Sequence, residues 1–266
     1  MNNEPTLAGK VAVVTGATAF IGRAIAIKLG SLGATVIVNG RNEVAGQEVV
    51  AEIEANGGKA FFEKADITKA DEMVAMMDRI VAKHGHIDNL AVSGAGASND
   101  SLSFKFFKEM SVEDIDTYIS SHWLTRIYAV KAAYPHMVKS GGGKIVMIGT
   151  DAGRVATVGE SMIGGSTGGM MQMTRSLARE FGRDKVRINT VAMSFIWDAI
   201  PRWGKGEDAL ESTSENGGMI QNLKRRMLFE VRTTDIAEAV AFFSTPASDA
   251  ITGQTLSVNG GLTTPG

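Results

Sequence analysis

The chain has 266 residues, 44% of them hydrophobic and 21% charged, enough apolar material for a single large α/β domain spanning 1–266. A formal net charge of −2 with no clustered basic face argues against a nucleic-acid partner and leaves a small-molecule substrate. With no cysteine and only four histidines, disulfides, thiolate catalysis and cysteine zinc sites are removed and no metal is expected; no apolar run reaches about 18 residues, so a soluble, cytoplasmic protein without membrane contact is expected.

In chain order, Lys10 to Thr15 reads as a valine-rich strand, followed by a glycine turn and a helix ending at Gly33. Residues 35–39 predict a second strand, 43–55 a helix, 59–66 a third strand and 69–84 an amphipathic helix. A fourth strand is expected over 86–93, one long helix over 112–138, a fifth strand over 144–149 and a helix over 161–182. A strand at 186–192, a helix at 234–244 and a strand at 255–258 close the series. This alternation predicts a three-layer, doubly wound parallel sheet of seven strands with helices on both faces. The stretch from 195 to about 225 breaks the rhythm with Gly204, Gly206, Gly217 and Gly218. It is expected to be a substrate segment or lid over the carboxyl ends of the strands.

The glycine turn TGATAFIG, Thr15 to Gly22, closes the first strand and opens the first helix, where backbone amides and the helix dipole favour a pyrophosphate. Gly16, Thr18, Phe20, Ile21 and Gly22 are the candidate contacts. At the end of the second strand a carboxylate would hold the ribose 2′-hydroxyl of NAD; Asn39, Gly40, Arg41 and Asn42 stand there instead. Arg41 with Arg23 could clamp a 2′-phosphate, which points to NADP rather than NAD.

With TGATAFIG, Asp66 in KADITKADE, the segment IDNLAVSGAG and ITGQTLSVNGG at 251–261, the chain resembles the short-chain dehydrogenase/reductase family over nearly its whole length. The resemblance implies a Rossmann-type sheet, Asp66 and Ile67 near the adenine, Ser93 and Gly94 beside the cofactor, and a dimer or homotetramer. Registering on TRSLA at 174–178, Thr150 falls on the family's catalytic serine, Ile163 on its tyrosine and Thr167 on its lysine, where a ribose contact is all a threonine offers. His122 falls on the family's asparagine. The site is therefore expected to be atypical: Thr150 polarises a carbonyl, and His122, titrating near neutrality, or Tyr118 one turn before it supplies the proton. Asp151 and Glu160 flank the same region. The reading is an NADP-dependent oxidoreductase of a small ketone or secondary alcohol. A noncatalytic dinucleotide-binding or scaffold homologue, or nonredox dehydration or isomerisation, remains the alternative. Gly164, Gly165, Gly168 and Gly169 within one helix are expected to be compensated by packing against a second subunit.

Overall fold

Seven short runs, most of them with valine or isoleucine at the centre, form one sheet: β1 Val11–Val14, β2 Thr35–Gly40, β3 Lys59–Lys64, β4 Asn89–Val92, β5 Gly143–Thr150, β6 Val186–Met193 and β7 Thr255–Val258. The computed structural model describes residues 7–94, 105–199, 221–222 and 225–265. Every neighbouring pair is parallel, in the order β3-β2-β1-β4-β5-β6-β7. The helices are α1 Phe20–Ser31, α2 Glu43–Ala55, α3 Ala70–His84, α4 Val112–Tyr118, α5 Thr125–Lys139, α6 Ser161–Phe181 and α7 Thr233–Ser244.

Alternation along β1 divides the core. Ala12 and Val14 point to one face, where Ile25 and Leu29 of α1, Val49 and Ile53 of α2, and Ile236 and Val240 of α7 pack. Val11 and Val13 point to the other, against Met73, Met76 and Ile80 of α3, Ala133 and Met137 of α5, and Met170 and Phe181 of α6. A strand covered on both sides has no polar face to show, which is why β1 is an unbroken apolar run and the centres of β2 and β5 are nearly so. The expected three-layer, doubly wound sheet is present. Strand order reverses between β1 and β4, and that switch point opens a crevice at the carboxyl ends of the strands.

Boundaries moved where side chains take over backbone duties. β4 starts at Asn89 rather than His86, because the Asp88 carboxylate accepts from Val11 N at 2.8 Å and Lys10 Nζ at 2.9 Å in the preceding turn. The helix expected to run unbroken over 112–138 is interrupted: Ile119–Leu124 form a π-helical turn between α4 and α5. Such turns insert an extra residue and concentrate at functional sites. Of the expected lid, only 195–199, 221–222 and 225 lie within the described residues, with a short 3₁₀ turn at Trp197–Ala199.

All but one of the α6 glycines find their compensation within the chain. A Cβ on Gly169 would come within 1.9 Å of the Trp123 ring, one on Gly164 within 2.8 Å of Ala152 O, and one on Gly168 within 3.0 Å of Gly153 O, whereas at Gly165 nothing lies within 4 Å. Three of the four thus let α6 close onto the π turn and onto the 151–153 turn after β5. A second subunit is not needed to explain them.

Candidate active site

The β1–α1 turn is built for close approach. Gly16 has φ +59°, and a Cβ there would lie 2.8 Å from Gly94 Cα; one on Gly22 would lie 2.2 Å from Gly16 O. Gly94, at φ +84°, returns the contact, so the glycine after β4 serves tight backbone passage. Thr15 Oγ1 donates to Ser93 O at 2.8 Å and accepts from Ser93 N at 3.0 Å, tying the ends of β1 and β4 together. The N-cap of α1, Ala19, offers no side-chain cap and the first turn carries no acid, leaving the helix dipole open to an anion. Phe20 adopts φ +48°, a strained conformation for a bulky residue. These residues border a cleft of about 920 Å³ that runs along the strand ends. Gly16, Thr18, Phe20, Ile21, Gly22, Arg41, Ile67, Ser93, Gly94 and Thr167 all line it.

Two expected contacts fall elsewhere. Arg23 does not line this cleft; its guanidinium pairs with Glu52 of α2 and borders a separate small recess. With Arg23 held by Glu52 and Arg41 on the cleft wall, the expected two-arginine clamp is not present. Asp66 is likewise outside the cleft wall, although Ala65 and Ile67 on either side of it are on the wall. Its Oδ1 accepts from Thr68 N at 2.9 Å and Thr68 Oγ1 at 2.8 Å, closing the turn into α3. Burial alone would raise this carboxyl's pKa; the Thr68 hydrogen bonds and the positive charges of Arg41 and Lys69 hold it below the usual aspartate range. Arg41 Nη1 stands 3.8 Å from Asp66 Oδ2, a loose exposed pair that leaves the guanidinium available.

One polar atom at this end went unread in the sequence. Asn39 is fully buried and donates both amide hydrogens, to Glu63 O at 3.1 Å and Ala65 O at 3.2 Å. Its Oδ1 has no partner among the described residues, while the residue itself lines the cleft. A buried acceptor left open costs on the order of 1–3 kcal/mol unless something fills it.

At the other end, β5 delivers Thr150 to the wall. Its Oγ1 accepts from Ala152 N at 3.3 Å, and its own proton has no acceptor among the described residues. Ile163 and Thr167, one turn apart on α6, face the same space. Ile163 brings no titratable group, and Thr167 Oγ1 donates to Ile163 O at 2.6 Å, so it can offer a ligand only its lone pairs. His122 lines the cleft from the π turn, with Nδ1 at 2.8 Å from Ser121 Oγ. Burial, reinforced by the nearby Arg126 charge, pushes its pKa down to about 4, so the imidazole is neutral at pH 7. The expectation that it titrates near neutrality is corrected. Tyr118 fails as a site residue for a different reason: it is fully buried, does not line the cleft, and lies stacked on His122 with ring centroids 4.1 Å apart. Burial raises its phenol further from ionisation.

Arg126 is the second residue the sequence reading missed. One helical turn after His122, it lines the cleft, donates through Nε to Ile148 O at 3.2 Å and through Nη1 to His122 O, and forms no ion pair among the described residues. Burial lowers its pKa to about 10, which still leaves it charged. Its spacing of four from His122 was a legible signal, since such residues share a helix face. Asp151, by contrast, is consumed: it accepts from Ser257 Oγ at 2.5 Å, Asn259 Nδ2 at 2.6 Å and Arg154 Nη2 at 3.2 Å. It fastens the end of β5 to β7 and to the segment that follows it.

A doubly wound parallel sheet with a glycine cradle at its switch point defines a dinucleotide-binding α/β protein. The family model described as enoyl-(acyl carrier protein) reductase matches residues 16–263. The chain is 33% identical over 261 residues to the 3-oxoacyl-[acyl-carrier-protein] reductase FabG of Staphylococcus aureus, covering 95% of this chain and 98% of that one. It is 32% identical to the hydroxynaphthalene reductase-like protein Arp2 of Metarhizium majus, with 97% of each chain covered. Among solved structures, a 7α-hydroxysteroid dehydrogenase complexed with NADH and 7-oxo glycochenodeoxycholic acid superposes with a TM-score of 0.84 at 29% identity, over 96% of this chain and 94% of that one. The chain belongs to the short-chain dehydrogenase/reductase family of NAD(P)-dependent oxidoreductases.

Proposed function

We propose that the protein is an NADP-dependent oxidoreductase that interconverts a small ketone and a secondary alcohol through an atypical site, in which Ile163 and Thr167 occupy the positions of the family's tyrosine and lysine. The observation that carries this reading is one continuous cleft with a phosphate cradle at one end and the unspent Thr150 hydroxyl at the other. Gly16, Thr18, Phe20, Ile21 and Gly22 would hold the pyrophosphate, Ile67, Ser93 and Gly94 the adenosine side and the path across the sheet, and Thr167 a ribose hydroxyl. The open Oδ1 of Asn39 supports a nucleotide donor at the end of β2. Arg41 would take the 2′-phosphate alone, without Arg23. When bound, the nicotinamide supplies or accepts a hydride. Thr150 donates to the substrate oxygen, and the neutral His122 can polarise but does not protonate it at pH 7. Leu262 and Phe195 give the substrate end apolar walls, which suits a compact ketone.

Calorimetric titration tests the cofactor reading. NADPH should bind more tightly than NADH, and Arg41→Ala should weaken NADPH by about tenfold to a hundredfold, the worth of charge-assisted phosphate bonds, while leaving NADH unchanged. Equal loss for both cofactors would contradict it. Thr150→Val should lower kcat by roughly 100-fold or more if its hydroxyl stabilises the developing oxyanion.

A further inference from the structure

Resting on that reading, we propose that Glu160 is the general acid and base of the site, giving a proton to the carbonyl oxygen in reduction and taking it back in oxidation. Carbonyl reduction requires a proton at oxygen, and the cleft holds few groups able to provide one. His122 is neutral, Tyr118 lies outside the cleft, and Asp151 is held by hydrogen bonds from Ser257, Asn259 and Arg154. Glu160 lines the cleft at the N-terminus of α6, one turn before Ile163. Its side chain does not cap the helix it precedes. No cation pairs with it among the described residues, although Arg41, Arg126 and Arg226 share the cleft wall. Tyr118 on α4 couples to it electrostatically, and Thr157, whose hydroxyl donates to Val155 O, touches it. Burial among apolar neighbours, only partly offset by that Thr157 contact, raises the carboxyl pKa above the ordinary glutamate value, the direction a proton donor needs near neutral pH.

In reduction, the carbonyl carbon gains a hydride from the dihydronicotinamide and the C=O π pair moves to oxygen. The O–H bond of Glu160 breaks as its proton joins that oxygen, and water reprotonates the carboxylate.

The test compares wild type, E160Q and E160D. Reduction should fall by roughly 100-fold to 10,000-fold in kcat for E160Q, with NADPH affinity unchanged, and E160D should recover part of the rate. Wild-type reduction should decline as pH rises through the carboxyl's pKa, and that limb should vanish in E160Q. The wild-type Glu160 carboxyl, assigned in ¹³C spectra by the resonance missing from E160D, should titrate above ordinary glutamates. An active wild type with an equally active E160Q, or a Glu160 carboxyl titrating at or below ordinary glutamates, overturns the assignment of Glu160 alone. A wild type that reduces no carbonyl overturns the oxidoreductase reading as well.

Discussion

The hydroxyl of Tyr118 is fully buried, with only a weak contact to the Ser166 hydroxyl, whose own proton goes to Ile163 O, and a buried hydroxyl so poorly satisfied costs on the order of 1–3 kcal/mol. Tyr118→Phe removes the cost and keeps the stack on His122, so thermal stability should hold or rise while turnover is unchanged; a large fall in kcat would return the phenol to the chemistry. His122 makes the opposite kind of prediction. Its folded pKa, about 4, lies below the ordinary 6.5, so between those values the unfolded chain takes up a proton that the folded chain refuses. Stability from this residue is fully present above 6.5 and is lost as pH falls, by at most about 1.4 kcal/mol per pH unit. His122→Phe should flatten that part of the melting-temperature profile between pH 6.5 and 4, and an unaltered slope would contradict the burial argument. Thr150, Ile163 and His122 were legible as residues of one pocket because their spacing follows a known frame. Their protonation states were not legible, because desolvation depends on neighbours such as Arg126 that the frame does not specify.

At the scale of an element, α6 carries a paired test. Gly165→Ala meets nothing within 4 Å and should stabilise by up to about 1 kcal/mol through helix propensity alone. Gly169→Ala drives a methyl into the Trp123 ring and should destabilise by about 1–3 kcal/mol in spite of the same propensity gain. Chemical denaturation midpoints moving in the same direction for both would refute the packing account. Strand and helix identities were legible because both-face burial writes itself as apolar runs and amphipathic periods. The π turn at Ile119–Leu124 was not legible, since an inserted residue shifts a helix without changing its composition. The position of Arg23 escaped for a similar reason: proximity in sequence to the phosphate turn said nothing about which side of α1 it leaves by.

Over the whole molecule, the sheet order places the cradle, Asn39 and Thr150 along one row of strand ends, and α6 brings Glu160 to the wall of the same cleft. Exposed Val112 and Ile119 on one side and Phe242 and Leu256 on another are candidate contacts for the dimer or tetramer that the family resemblance implies; sedimentation should then give two or four times 28.1 kDa, and a monomer at micromolar concentration would contradict it. The parallel fold was legible from alternation alone, whereas the continuity of the cleft needed β1 and β4 brought together through Thr15 and Ser93. The central claim is the proposed one, that hydride moves between a nicotinamide and a carbonyl carbon in a site where Ile163 holds the position proposed for the family tyrosine. It is tested most directly by incubating the protein with NADPH deuterated at both C4 positions and a panel of small cyclic and acyclic ketones. Deuterium should appear by mass spectrometry on the carbinol carbon of at least one product; tight NADPH binding with no deuterium transferred to any ketone would contradict the account.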